Sequence, residues 1–222
     1  MAELKRALGF WTILSLSIAS IMGTGMFFGA GIGARYSGNT SILSWVILSF
    51  VAVYISMFFS ELVSMFPKAG GVYEFSKQAY SRFTSFIMGW LAWIVGNLTT
   101  ALLIVAAIDY LIPDPSQFVL KLAISITLII VLNAIAFFGI ESSGIVVVVL
   151  AALSMGMILS VIFPGVFIME ISNLMPFFNY GIAPILVTIF FIAEAFYGWE
   201  SATYLSEETK NPEKTIPKAL IY

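Results

Sequence analysis

Apolar residues in this chain come in long blocks separated by short polar turns, without the alternation that a membrane barrel strand shows. A bilayer core needs about 20 mostly apolar residues in a helix. Six stretches meet that length: Phe10 to Ala34, Ile42 to Phe66, Phe86 to Ile112, Phe118 to Ile140, Ile145 to Ile168 and Ile182 to Leu205. The first is too long, and too rich in internal Gly and Ser, to be a cleaved signal peptide. Pro113-Asp114-Pro115 separates the third stretch from the fourth, and Gly139 to Gly144 makes a tight turn between the fourth and fifth. Between the second and third, the pattern predicts a short surface helix. Val72, Phe75 and Ala79 form its apolar face, and Glu74, Lys77 and Gln78 its polar face. The segment from Ser206 to Tyr222 is polar, contains Pro212 and Pro217, and reads as a tail. The expected fold class is an all-α membrane protein, with residues 1–222 forming a single transmembrane domain.

Composition narrows the chemistry. The chain is 60% hydrophobic and 10% charged, against roughly half apolar and a quarter charged in soluble domains. A formal charge of −2 leaves no basic face for nucleic acid. The absence of Cys removes disulfides and thiolate chemistry. The absence of His removes the commonest general base and metal ligand. An intramembrane hydrolase built on the acids of the last span would lack His, Cys and any metal-ligand cluster. No enzyme, metal or cofactor is expected.

Basic residues give the orientation. With the N-terminus inside, the inner segments hold Lys5, Arg6, Lys68, Lys77, Arg82, Lys210, Lys214 and Lys218, and the outer ones hold only Arg35 and Lys121. Both termini are therefore expected in the cytoplasm. Trp11, Trp45, Trp90 and Trp93 lie near span ends and read as interface anchors.

The first span is interrupted by Gly23-Thr24-Gly25, about 20 Å along from Phe10 at 1.5 Å per residue and so near mid-depth. Unwound backbone at that depth is tolerated only when buried in protein or lining a cavity. A helix restarting near Thr24 and Gly25 would point free N–H groups and a positive dipole end at the midplane, which suits a carboxylate. The alternative is close helix packing through small residues, which suits Gly29, Gly31 and Gly33.

The last span carries Glu194 and Glu200. An acid in mid-span costs roughly 2.5–3.5 kcal/mol on insertion scales, so it is a functional candidate by default. Gly198 offers a second break, where the half-helix before it would present carbonyls that favour an ammonium. Paired Gly-interrupted spans point to a transporter site. Lesser candidates are Glu61 near the end of span two, Asn97 as a cross-helix hydrogen bond of about 0.6 kcal/mol, and Asp109 as a hydrated outer acid.

Three motifs occur in order among these spans. They are Ile21-Met22-Gly23-Thr24-Gly25-Met26-Phe27, then Pro67-Lys68-Ala69-Gly70-Gly71-Val72-Tyr73, then Phe196-Tyr197-Gly198-Trp199-Glu200 followed by Glu207-Glu208-Thr209-Lys210-Asn211-Pro212 and Ile216-Pro217. With them the chain resembles the amino acid–polyamine–organocation (APC) transporter superfamily over nearly its whole length. The resemblance implies six transmembrane helices of a LeuT-like five-plus-five inverted repeat, with helices one and six discontinuous. Residues 1–170 would be the first repeat, and residues 171–222 the first helix of the second repeat plus a cytoplasmic tail. It implies a secondary transporter that moves amino acids across the cell membrane by alternating access.

The resemblance also implies a site. Substrate would be held by Ile21, Met22, Gly23, Thr24, Gly25, Glu194, Phe196, Tyr197, Gly198 and Trp199. The N–H groups of Thr24 and Gly25 would take the carboxylate. The carbonyls of Ile21 and of residues near Glu194 and Tyr197 would take the ammonium. Phe196, Tyr197 or Trp199 would gate the pocket, and Gly70 and Gly71 would shape an inner re-entrant loop or simply a turn. Glu194 and Glu200 are the coupling candidates, with H+ and Na+ both open as coupling ions. The Glu194 side chain could bind a cationic substrate, carry a proton or meet a packed neighbour. Expected partners are an amino acid or related amine and the lipid bilayer. A ten-helix fold from six spans further implies either additional C-terminal helices or self-association. The competing reading is a truncated half-transporter that binds without transporting.

Overall fold

The structure is a computed structural model that describes residues 6–178 and 181–222, with the side chains of residues 24 and 140–142 outside that description. Lys5 of the orientation count also lies outside the described residues. The described chain is helical, and its only extended pairing is an isolated parallel bridge between Leu8 and Thr209.

Helix α1 (Phe10–Ile21) stops where Met22 leaves helical geometry at φ −76°, ψ 51°. Gly23 is extended, and α2 (Thr24–Ser37) restarts at once. Gly38, at φ +57°, turns the chain through a short 3-10 segment into α3 (Ser41–Met65). Pro67 follows the end of α3 closely, as proline cannot continue a helix. After α4 (Val72–Ala79), the Ser81 side chain accepts from the Thr84 N–H and caps the 30-residue α5 (Arg82–Leu111). The next helices are α6 (Phe118–Phe137) and α7 (Ile140–Ile168). The turn between them is tighter than the sequence suggests: Gly139, at φ +104°, reverses the chain, and α7 begins at the next residue. Helix α8 (Ile182–Ile192) tightens into a 3-10 turn over Ala193–Phe196. The chain is broken at Tyr197 and Gly198 and resumes as α9 (Glu200–Tyr204). Pro212 opens α10 (Pro212–Ile221), where its missing N–H costs nothing.

Five helical stretches are long and apolar enough to cross a membrane. The first, Phe10–Met65, is 56 residues long and runs through α1, α2 and α3, so it contains the first two spans expected from the sequence. These stretches bury little of themselves within the chain, from 22% down to 0% in α6. Apolar side chains left outward are what lipid solvates without penalty.

Helix α2 packs along α8, α1 along α7 and α10, α3 along α10 and α8, and α4 along α5. The buried apolar cluster sits at the end of the bundle where α10 docks. It joins Leu8, Ile13, Val63, Phe75, Ala202, Ile216, Ala219 and Leu220, with Phe66 and Trp199 around them. The segment after Ser206 is therefore not a free tail. Ile216, Ala219 and Leu220, spaced three and four apart, form the apolar stripe that seats α10. The Leu8 N–H donates to Glu208 O (3.0 Å) and the Lys210 N–H to Leu8 O (2.9 Å), which ties the two chain segments together.

Other expectations also change. In α4 the buried set is Glu74, Phe75 and Ser76, and Ala79 is exposed. Glu74 can be buried because Gln78 Nε2 donates to its Oε1 (2.7 Å) and Lys77 Nζ to its Oε2 (3.4 Å). These contacts, led by Gln78, hold its carboxyl below the ordinary glutamate value despite burial. The Asn97 amide does not reach across to another helix as expected; it donates to Trp93 O one turn back (2.7 Å). Asp109 is not merely hydrated, since Lys121 Nζ donates to it at 2.6 Å across the turn between α5 and α6. Of the four tryptophans expected as interface anchors, Trp11, Trp90 and Trp93 are exposed, whereas Trp45 is half-buried in the bundle.

Candidate functional site

The two helix breaks lie side by side. A β-carbon on Gly25 would fall 2.5 Å from the backbone nitrogen of Ala195, and one on Gly198 would fall 2.5 Å from the carbonyl oxygen of Ser20. Further along α2, Gly29 meets Ile192 and Trp45, and Gly33 meets Thr188 and Ser41. Residue numbers rise along α2 as they fall along α8, so the two half-helices are antiparallel. Glycines four apart share one helix face, and the Gly25, Gly29 and Gly33 stripe is the surface on which α8 sits. The packing expectation fails for Gly31, which has nothing near it among the described residues. Two residues on from Gly29 is about 200° around the helix, the wrong side for α8. Break and packing readings therefore both hold for this segment, on different atoms.

Antiparallel half-helices place opposite ends together. The start of α2 offers N–H groups from Thr24 and Gly25 that have no carbonyl one turn back, and its N-cap residue, Gly23, has no side chain to cap them. Beside them, the end of α8 and its 3-10 turn offer carbonyls with spare lone pairs. Glu194 O accepts from the Tyr197 N–H (3.1 Å), and Ile21 O, across the gap, from the Gly23 N–H (2.8 Å). A carbonyl oxygen has two lone pairs, so each keeps capacity for a second donor. A positive dipole end meets a negative one at a gap of unwound backbone. This geometry can hold an anionic and a cationic group a short distance apart, without covalent chemistry.

The side chains divide around this gap. Phe196 packs on Trp45 of α3, ring centroids 5.6 Å apart. Trp199 donates its indole N–H to Phe196 O and faces the apolar cluster at the α10 end. Tyr197 is 62% exposed. The three aromatics thus point to three different places. Glu200 Oε2 accepts from the Gly198 N–H at 3.2 Å, so this acid fixes the second break. Glu194 is exposed within the 3-10 turn. Thr24 is described by its backbone alone, which places its N–H at the first position of α2. Gly23 has Leu103 of α5 as its nearest neighbour, 3.8 Å from where a β-carbon would lie, which leaves room beside the break.

Several partners of the site are not legible in the sequence. Ser20 supplies the backbone surface for Gly198, and Ser37 and Thr188 share a buried hydrogen bond of 2.9 Å between α2 and α8. Ser44 of α3 donates to Ile185 O (3.1 Å). The small size of Ser20, three residues before Gly23, is the one available signal. The Gly70-Gly71 pair is a turn, as φ values of +116° and +49° require, and Gly71 lies against Thr203 and Tyr204 of α9.

The profile of the family described as "Amino acid permease" matches residues 8–222. The chain belongs to the amino acid permease family, within the APC superfamily. It is 30% identical to the glutamate/serine transporter AimA of Bacillus subtilis (strain 168), an alignment covering 100% of this chain and 45% of the relative. It is 25% identical to the branched-chain amino acid permease BcaP of the same organism, covering 99% and 51%. It is 30% identical to the L-methionine/branched-chain amino acid exporter YjeH of Escherichia coli (strain K12), covering 100% and 53%. The chain spans about half the length of these relatives. A permease is a multi-pass membrane protein, which accounts for the apolar exterior of α5, α6 and α7 in physical terms.

Proposed function

We propose that this permease takes part in secondary active transport of amino acids by alternating access, with the substrate held between the two helix breaks. The observation that carries the reading is the pairing itself: Gly25 on Ala195 and Gly198 on Ser20 put a helix N-terminus beside carbonyls with spare lone pairs. The α-carboxylate of the substrate lies on the N–H groups of Thr24 and Gly25. Its α-ammonium lies on carbonyls around Ile21, Glu194 and Tyr197. Met22 and Gly23 form the unwound floor, and Phe196, Tyr197 and Trp199 gate or line the pocket. On this reading α1 with α2 is the first helix of a five-plus-five repeat, and α8 with α9 is the first helix of the second. The permease sits in the cell membrane with both termini cytoplasmic, and Glu200 is the candidate for coupling to an ion.

The test is binding of a labelled amino acid to the purified protein. Gly25→Leu inserts a side chain where the Ala195 backbone now lies and is expected to abolish binding while leaving membrane insertion intact. Gly31→Leu, in open space, is expected to bind normally. Equal binding by both variants would remove the site assignment.

A further inference from the structure

We infer that the corner between α4 and α5 binds an anionic phospholipid, with its phosphate on Lys77 and Arg82 and its acyl chain along Phe86 and Trp90. The two helices form an antiparallel hairpin. Only Tyr80 and Ser81 join them. Tyr73, at the start of α4, lies against Gly89, its ring 3.0 Å from where a β-carbon on Gly89 would sit. Phe75 fixes the other side of α4 in the buried cluster at the α10 end. The joint therefore faces outward, with Tyr80, Arg82, Phe83 and Phe86 all exposed. The 30 residues of α5 measure about 45 Å at 1.5 Å per residue, the thickness of a bilayer with both headgroup layers. Its first turn, from Arg82 to Phe86, thus stands among headgroups. Trp90 lies about 12 Å deeper than Arg82, and its ring stacks on Phe86 with centroids 6.4 Å apart. That pair makes an apolar strip leading from headgroup depth to the acyl chains.

Charge selects the lipid. From Pro67 to Trp90 the chain carries Lys68, Lys77 and Arg82 against one acid, Glu74, in a protein whose formal charge is −2. Glu74 is buried and takes its bonds from Gln78 and Lys77. Its bond at 3.4 Å occupies one donor of the Lys77 ammonium, whose side chain is 48% exposed, and an ammonium has three donors. The excess positive charge is therefore presented to the surface rather than consumed within the fold. The segment from Ser206 to Tyr222 is the contrast: Lys210, Lys214 and Lys218 are balanced there by Glu207, Glu208 and Glu213. Each basic residue at an anionic membrane surface strengthens attachment roughly fivefold. Cations at headgroup depth above an aromatic strip match a charged head above an apolar tail. A soluble anion would use the cations and leave the strip unused.

The experiment is native mass spectrometry of the purified, delipidated protein, titrated in detergent with phosphatidylglycerol or phosphatidylcholine of the same acyl chains. Thermal melting is followed in parallel. Wild type is expected to hold one phosphatidylglycerol at least about tenfold more tightly than phosphatidylcholine, the combined effect of two basic residues. Lys77→Gln with Arg82→Gln is expected to bring the ratio close to one and leave phosphatidylcholine binding unchanged. The charge-conserving pair Lys77→Arg with Arg82→Lys is expected to keep the preference, as is Lys214→Gln. Phe86→Ala is expected to weaken both lipids alike. A wild-type ratio near one, a preference that survives loss of both charges, or one that Lys214→Gln removes overturns the proposal. So does displacement of the lipid by glycerol phosphate at equal concentration, because the site would then recognise a free phosphate. If the double Gln variant melts early, Arg82→Gln alone decides, since Lys77 keeps its bond to Glu74. A loss of phosphatidylglycerol affinity of about fivefold supports the site, and no loss overturns it.

Discussion

The backbone of Gly198 rests directly on that of Ser20, so that a β-carbon on Gly198 would sit 2.5 Å from the Ser20 carbonyl oxygen. Gly198 also holds φ +126°, a conformation that L side chains rarely adopt. Gly198→Ala therefore meets two independent costs: roughly 1–3 kcal/mol of backbone strain and a comparable overpacking penalty. We predict a clear drop in melting temperature together with loss of amino acid binding. Gly23→Ala is the contrasting case. Gly23 is extended, and the nearest atom to its new β-carbon would be Leu103 Cδ2 at 3.8 Å, an ordinary contact. Its stability, read from the same melting curves, is expected to stay within about 0.5 kcal/mol of wild type.

That contrast shows how far the sequence can be read. Both breaks are visible in it, because glycine pairs at mid-depth and a mid-span acid conflict with an ordinary apolar helix. Their mutual contact is not visible, because the partners of the glycines are backbone atoms of Ser20 and Ala195, and backbone leaves no mark in residue type. The docking of α10 is hidden for another reason. Its apolar stripe of Ile216, Ala219 and Leu220 is only three residues within a polar segment, and two prolines argue against a helix. Pro212 is harmless at the first helical position, and Pro217 follows so closely that the carbonyl it would obstruct belongs to the first turn. Glu74 reads as part of the polar face of α4 because charge dominates a pattern. Its burial depends on Gln78 and Lys77, which only the folded turn brings to it.

The hydrogen bond between Ser37 and Thr188 joins α2 to α8 in a place where both side chains are fully buried. Interhelical bonds of this kind contribute about 0.6 kcal/mol on average in membrane proteins. Thr188→Val keeps the shape and removes the hydroxyl. Ser37 then still donates to Gly33 O (3.3 Å). We predict a coupling energy of about 0.6 kcal/mol in a double-mutant cycle with Ser37→Ala, read from unfolding in detergent. A coupling indistinguishable from zero would mean that Gly33 packing alone holds this end of the pair.

Glu74 gives α4 a pH limit whose sign follows from its lowered pKa. The Gln78 amide is the largest cause, the Lys77 ammonium adds to it, and burial opposes both. A carboxyl depressed on folding contributes stability that is fully present above its unfolded value, 4.5, and is lost as pH falls through the lower folded value. The docking of α4 should therefore be constant from neutrality to about pH 4.5 and weaken below it. The chain has no Cys, so a single spin label at Ala79→Cys, an exposed position, reports the docking. Label mobility is expected to rise only in the acid range, and Glu74→Gln is expected to remove that rise.

Glu200 is the acid tied most directly to the second break, because its carboxylate accepts the N–H of Gly198 at 3.2 Å. Neutralising it weakens a charge-assisted bond at the second break. Glutamine keeps an acceptor oxygen in the same place but cannot exchange a proton at working pH. Glu200→Gln should therefore fold and bind, and its uptake into proteoliposomes should lose the pH dependence of wild type. Glu200→Ala removes the acceptor and leaves the N–H unsatisfied, a cost of roughly 1–3 kcal/mol, so it should lose stability as well. The pair separates two roles of one carboxylate. If both variants lose stability alike and the Gln profile follows that of wild type across pH, Glu200 braces the break and takes no part in coupling.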